Sequence, residues 1–210
     1  MRWMCFISVI LCSLCLTACL RMSYQPRGEY LLNQNCPSFQ NHSSKFKGVT
    51  LIEKTVVQSP FSGNNFIYRT DNENYLVDYY NLFLAPPAEQ ISPQINRCLA
   101  QAKLFDQTVD SAGITKPNYW LNTNLSEMYA DYRDRSIPKA VLTIQFELYQ
   151  ESIEPNKTIK IFNKTYHEAI PLQKKNSESL VDACNEGLQE SLRAFENDLM
   201  HSRKTGQTIA

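Results

Sequence analysis

The sequence lacks the patterns that mark most nucleotide-binding and nucleic-acid-binding proteins. It has only 6 Gly among 210 residues, and neither GxGxxG nor GxxxxGK[ST] occurs in it, so no phosphate-binding loop is predicted. Lys plus Arg and Asp plus Glu both number 21, and a chain without excess positive charge has no overall field that would hold DNA or RNA. We therefore expect no nucleic-acid partner and no cofactor.

Metal-binding and catalytic spacings are missing as well. No CxxC occurs after residue 19 and no HxxxH occurs anywhere in the sequence, and the three His residues lie far apart at His42, His167 and His201, so no metal site is predicted. Asp71 and Glu73 are paired carboxylates, but they fall in a predicted hairpin turn, where solvent would not raise a carboxyl pKa. The sequence therefore favours a non-catalytic protein, and an enzyme is the alternative hypothesis.

Charge is almost absent from the first twenty residues. Arg2 is the only charged residue before Arg21, and the mostly apolar stretch from Trp3 to Leu20 is long enough to approach the span of a bilayer. One interpretation is an uncleaved membrane anchor. The other is a secretory signal, which combines a basic start, an apolar run and small residues before the cleavage site.

The end of the apolar run favours the signal. Leu16-Thr17-Ala18-Cys19 matches the bacterial lipobox, in which the thiol receives a diacylglycerol and the signal peptidase requires small residues before the Cys. We predict a signal peptide at residues 1–18 and a lipidated Cys19, with several acyl chains giving an anchor that does not readily dissociate. Leu20, rather than Asp, after this Cys favours the outer membrane, with the protein facing the periplasm.

Hydrophobic periodicity after the anchor predicts one α+β domain. Residues 19–28 are a short tether, residues 29–200 are the domain, and residues 201–210 are a polar tail. Two helices are predicted: one starts at Ser92 and Pro93, and the other is capped by Asn176. The expected architecture is an antiparallel sheet with the two helices packed on one face. Its predicted strands lie at residues 30–32, 49–57, 65–70, 75–83, 119–129, 142–148 and 157–169.

Three Cys residues remain after processing, and an oxidising compartment permits one disulfide. Cys98 and Cys184 both lie on apolar helical stripes that should pack on the same sheet face, which makes them a candidate pair. The alternative is two small buried side chains with free thiols. Cys36 falls in a loop between the first two predicted strands.

Two stretches carry a resemblance to a known family. Residues 61–109 contain Tyr68-Arg69 at a strand end, a tyrosine-rich strand, Phe83-Leu84, and a helix that ends in Leu104-Phe105. This stretch and the segment LSEMYADYRDRSIPKAVLTIQFELYQ at residues 125–150 resemble the ABC-type transport auxiliary lipoprotein family. One departure is Leu84-Ala85-Pro86-Pro87, where many members have Trp-Ala-Glu-Pro.

The resemblance implies a non-catalytic subunit beside an MCE-domain protein, an ABC permease and an ATPase, which together move phospholipid or other lipid between two membranes. The alternative function is a structural or assembly lipoprotein that links the outer membrane to another periplasmic complex. A homo-oligomer stays open.

The predicted hairpin at residues 66–83 is the candidate partner-binding surface. Tyr and Arg are common anchors at interfaces, and the candidates here are Tyr68, Arg69, Tyr79 and Tyr80. Tyrosines are also ordinary residues of strands, and Arg69 could instead pair with Asp78 across the hairpin.

Overall fold

The computed structural model describes residues 26–32, 35–39, 44–111, 113, 116–154 and 157–202. The predicted signal peptide, Cys19, most of the tether and most of the polar tail lie outside these residues. The strands are β1 (Gly28–Tyr30), β2 (Phe46–Ile52), β3 (Val56–Val57), β4 (Asn65–Arg69), β5 (Tyr75–Phe83), β6 (Phe105–Val109), β7 (Tyr119–Asp131), β8 (Lys139–Glu151) and β9 (Thr158–Pro171). The helices are α1 (Pro87–Ala102) and α2 (Ser177–His201).

Strand β7 organises the sheet. On one side it pairs along its length with β8, which pairs in turn with β9, and both ladders are antiparallel. Leu121 lies opposite Leu148 and Leu125 lies opposite Ile144, so both pairs place apolar side chains on one face. These four residues are fully buried, as the alternating pattern of residues 142–148 predicted.

The other side of β7 is shared among three short strands. β2, β3 and β4 each pair with it in parallel, at residues 119–121, 124–125 and 130–131 respectively. β6 extends the sheet from β2, also in parallel. The α+β class is confirmed, but the sheet is mixed rather than purely antiparallel, because α1 connects β5 to β6 and allows β6 and β7 to run in the same direction as β2.

Both helices cover the apolar face, as predicted. α1 contacts β2, β3 and β6, whereas α2 contacts β8 and β9, and the buried residues of both helices join one core. Asn176 caps α2 by accepting a hydrogen bond from the Ser179 N–H at 3.0 Å. Among the described residues, neither helix is long and apolar enough to cross a membrane.

The predicted start of the first helix is wrong. α1 begins at Pro87, and Pro86 occupies the N-cap position, so Pro93 lies inside the helix. Pro fits the first turn of a helix, because a backbone N–H at that position would have no partner within the helix. Both Pro87 and Pro93 fit this rule in the sequence, and the structure places Pro87 at the start. Ser92 does not cap the helix: its hydroxyl donates to the Ala88 carbonyl at 2.7 Å and accepts from the Thr55 N–H at 2.8 Å.

The predicted Cys98–Cys184 disulfide is also wrong. Cys98 pairs with Cys36, with 5.2 Å between their Cα atoms, and Cys184 is a free, buried thiol. The physical reason is lateral separation: α1 lies over the β2 and β6 side of β7, whereas α2 lies over the β8 and β9 side. Burial raises the pKa of the Cys184 thiol to about 12.

Candidate functional site

The candidate site is the hairpin formed by β4 and β5, which contains all four predicted partner-binding residues. Its inner strand β4 pairs with the end of β7 through Tyr68 and Arg69. Its outer strand β5 pairs with β1 only at residues 81–83. Among the described residues, no strand pairs with the outer edge of residues 75–80, so the hairpin projects from the sheet with one open edge.

Asp78 holds the hairpin in shape. Its carboxylate accepts hydrogen bonds from the N–H groups of Tyr80 and Asn81 at 2.8 and 3.0 Å, from the Asn81 side-chain amide at 2.8 Å, and from the Tyr68 hydroxyl at 2.8 Å. Its carbonyl accepts from the Asn65 amide at 2.8 Å. These bonds coincide with the register shift between β4 and β5, so Asp78 supplies the partners that the irregular ladder leaves out.

The titration of this cluster follows from its hydrogen bonds. Burial by itself would raise the pKa of Asp78, but the donors from Asn81, Tyr80 and Tyr68 outweigh it and lower the pKa below its ordinary value. Burial and the bond to Asp78 together raise the pKa of Tyr68 well above its ordinary value. Tyr68 therefore stays a protonated donor at neutral pH, and its hydroxyl is committed to Asp78.

Arg69 fastens the turn instead of pairing with Asp78. Its guanidinium donates to the carbonyls of Asp71 and Asn72 at 3.3 and 2.6 Å, and to the Tyr129 hydroxyl at 3.3 Å. It also lies 5.4 Å from the centre of the Tyr75 ring. Each of the three guanidinium nitrogens thus donates one hydrogen bond within the domain, and the suggested Arg69–Asp78 pair does not form.

Tyr79 and Tyr80 differ from the other two predicted residues because their side chains face solvent. Tyr79 is 77% exposed and Tyr80 is 51% exposed. Their neighbours Leu76 and Val77 are 51% and 46% exposed. Because successive side chains of a strand point to opposite faces, Leu76 and Val77 lie on opposite faces of the hairpin. Both faces of the projecting arm therefore present apolar surface. The role of Tyr68, Arg69, Tyr79 and Tyr80 in partner binding stays a prediction.

A shallow cavity lies where the hairpin meets the end of β7. Its volume is about 290 Å³, and its lining residues are Tyr68, Thr70, Leu76, Tyr132 and Arg135. The rings of Tyr68 and Tyr132 meet edge to face with centres 5.7 Å apart. A mostly apolar cleft with a cation at its rim suits a group that is apolar in its body and anionic at one end.

A polar stripe on α1 fastens the segment that follows β1, and the sequence analysis missed it. The Leu32 N–H donates to the Gln90 side chain at 2.7 Å, and the Gln94 amide donates to the Asn35 carbonyl at 3.3 Å. Cys98 completes the stripe through its disulfide to Cys36. Positions 90, 94 and 98 are four residues apart, so this spacing was a readable signal of one helical face.

The opposite, open face of the sheet carries a separate polar cluster. The Thr143 hydroxyl donates to Glu127 Oε2 at 2.5 Å and lies 2.7 Å from His167 Nδ1. The hydroxyl stands between the carboxylate and the imidazole, whereas in a nucleophilic triad the imidazole stands between the other two. This cluster therefore links β7, β8 and β9 across the open face and does not form such a triad.

Comparisons with known proteins place the fold. No family model matches the chain, and no curated protein matches it. Among solved structures, it is similar to a DUF330 protein from Xanthomonas campestris, with a TM-score of 0.69, 12% identity, and coverage of 83% of this chain and 95% of that one. It is also similar to an uncharacterised protein, with a TM-score of 0.62, 15% identity, and coverage of 83% and 99%.

The first of these matches shows that the chain has the fold of a DUF330 protein. A third structure, a hypothetical protein from Chlamydia trachomatis, reaches a TM-score of only 0.46 at 14% identity over 72% of this chain and 96% of that one, which is too distant to support a conclusion. At these identities a shared fold carries no activity, ligand or partner with it.

Proposed function

We propose that this protein is a lipid-anchored, non-catalytic subunit of an ABC and MCE-type system that moves lipid between the two membranes of the cell envelope. The observation that carries the proposal is the lipobox at Leu16-Thr17-Ala18-Cys19, directly before a small domain with the fold of a DUF330 protein. The resemblance of residues 61–109 and 125–150 to the auxiliary lipoprotein family supplies the transport context. The domain would face the periplasm from the outer membrane.

The partners in this proposal are an MCE-domain protein, an ABC permease and an ATPase. The domain itself would supply attachment and position, while the partner system would supply the energy of ATP hydrolysis. A structural lipoprotein that ties the outer membrane to another complex is the competing function.

The first test concerns the anchor. Intact mass of the mature protein should show loss of residues 1–18 and a triacylated Cys19. Cys19→Ala should abolish acylation and release the protein from the membrane fraction. Cys15→Ala is the matched control, since it removes a neighbouring thiol but leaves the lipobox whole. A Cys19→Ala variant that still fractionates with the outer membrane would contradict the lipid anchor.

The second test concerns the system. Affinity purification of the lipidated protein should recover an MCE protein together with a permease and an ATPase. Deletion of the gene should make the outer membrane more permeable to detergents and hydrophobic drugs. An intact barrier in the deletion strain, with none of those components recovered, would remove the transport role and favour the structural lipoprotein.

A further inference from the structure

We propose that the β4–β5 hairpin lies against the surface of the membrane that holds Cys19, so that the domain is oriented by its hairpin as well as held by its acyl chains. This inference rests on the proposed lipid anchor and adds to it a contact surface and the chemistry of the ligand, a phospholipid interface.

The direction of the tether is the first reason. β1 is parallel to β5, with Gly28 opposite Asn81 and Tyr30 opposite Phe83. Pro26 and Arg27, the described residues before Gly28, therefore lie on the Tyr80 and Tyr79 side of β1, which is the side of the hairpin turn. Only nine positions separate Gly28 from Cys19, and they span about 30 Å at full extension. The acyl chains must lie within that distance of the point where the tether joins the hairpin.

The fixed position of that attachment is the second reason. Downstream of β1, Leu32 is buried and its N–H is bonded to Gln90, and the disulfide between Cys36 and Cys98 closes the segment onto α1. The Leu84 N–H also donates to the Tyr30 carbonyl at 2.8 Å. These contacts keep the exit of the tether beside β5, so the membrane and the hairpin stay on the same side of the domain.

The chemistry of the exposed side chains is the third reason. Tyr79 and Tyr80 combine an apolar ring with a polar hydroxyl, and such side chains are favoured at the level of lipid headgroups. Leu76 and Val77 add apolar area beside them. The open edge of β5 still needs water or polar groups for its N–H and C=O groups, so the arm is suited to the interface and not to the hydrocarbon core.

Charge refines the expected contact. Arg27 and Arg135 are exposed near the two ends of the arm, but Asp71 and Glu73 at the turn are exposed too. These opposite charges offset one another, so attraction to anionic lipid is not the main source of binding. The contact should therefore form on zwitterionic phosphatidylethanolamine and should change little with added salt.

The experiment uses the full lipidated protein in vesicles of phosphatidylethanolamine and phosphatidylcholine, with part of the lipid brominated in its acyl chains. Trp120→Phe removes the tryptophan that remains after signal cleavage. Tyr79→Trp then places a fluorophore on the hairpin, and Ile159→Trp is the matched control, because Ile159 is 56% exposed on β9 at the far side of the sheet. We expect bromolipid to quench the Trp at position 79 and to leave the Trp at position 159 unchanged.

Four results would overturn the inference. They are equal quenching at both positions, no quenching at position 79, a change at position 79 that follows protein concentration and not lipid, and a change at position 79 only after addition of the MCE protein. The third result would assign the arm to a second copy of the chain, and the fourth would assign it to the MCE partner. Intact mass of the same sample reports acylation of Cys19, so failure of the anchor is distinguished from failure of the hairpin contact.

Discussion

The disulfide between Cys36 and Cys98 should supply a large share of the stability of this domain. It joins residues 62 positions apart, and the chain-entropy model gives about 4 kcal/mol for a loop of that length. The free energy of unfolding of a natural domain is about 5–15 kcal/mol. We therefore expect loss of this single bond to remove a quarter or more of the total.

The perturbation is the double variant Cys36→Ser and Cys98→Ser, followed by urea denaturation of the purified protein. The expected loss is about 4 kcal/mol in the free energy of unfolding. Wild-type protein in a reducing agent should show the same loss, whereas the reducing agent should not change the double variant. This comparison separates the effect of the bond from the effect of placing two serines at the site.

Thiol counting gives an independent check of the same pairing. In denatured, unreduced mature protein only Cys184 should react, and all three unmodified Cys residues should react after reduction. Three reactive thiols before reduction, or a wild-type stability that a reducing agent leaves unchanged, would refute the assignment of Cys98 to Cys36.

Three further predictions follow from single positions. Asp78→Asn should cost about 1 kcal/mol at neutral pH, because the amide loses two acceptor contacts at a partly exposed site. Folding lowers the pKa of Asp78, so its contribution to the free energy of unfolding should be complete above the ordinary carboxyl pKa and should fall as the pH drops through the folded pKa. Urea denaturation at a series of pH values should show this pH dependence in the wild type and not in the variant. Gly187→Ala should stabilise α2 by about 0.5–1 kcal/mol in urea denaturation: the added Cβ would lie 3.4 Å from the Glu168 Cβ, an ordinary contact, whereas Gly187→Leu should overpack and destabilise. Because burial raises the pKa of Cys184 to about 12, its thiol should not react with a disulfide reagent at pH 8 until the protein unfolds.

Local patterns predicted the part of the fold that local physics determines. The alternation of Leu142, Ile144, Phe146 and Leu148 identified β8, because one face of a half-buried strand must be apolar. Asn176 identified the start of α2, since its side chain satisfies an N–H group that the helix leaves without a partner. Both features depend on residues a few positions apart, and the structure confirms both.

Features that depend on distant parts of the chain were not predictable in the same way. β2, β3 and β4 share one side of β7 in parallel, and no local pattern states which segment of β7 each one pairs with. The wrong disulfide has the same origin. Cys98 and Cys184 both lie on apolar stripes, but the sequence does not show that the two helices cover different strands of the same face, one on the β2 side of β7 and the other on the β8 side.

The candidate site was also only partly predictable from the sequence. Exposure of Tyr79 and Tyr80 agrees with a surface role, but the commitment of Tyr68 to Asp78 and of Arg69 to two turn carbonyls is visible only in three dimensions. A substitution such as Arg69→Ala would therefore disturb the arm itself. Tyr79 is the better probe of contact, because its ring is mostly exposed and its removal leaves the arm intact.

The disulfide that joins Cys36 to α1 also limits how far the domain can move from its anchor. β1 contributes only three paired residues, so a pull on the acyl chains would detach it first and lengthen the free tether to Cys36, about 60 Å at full extension. Without the disulfide, the next strand begins at Phe46, and the tether would extend to about 90 Å. Because the disulfide restricts the free tether to about 60 Å, the domain stays close to the membrane that holds Cys19. In the proposed transport system, a partner from the opposite membrane must then span the remaining distance.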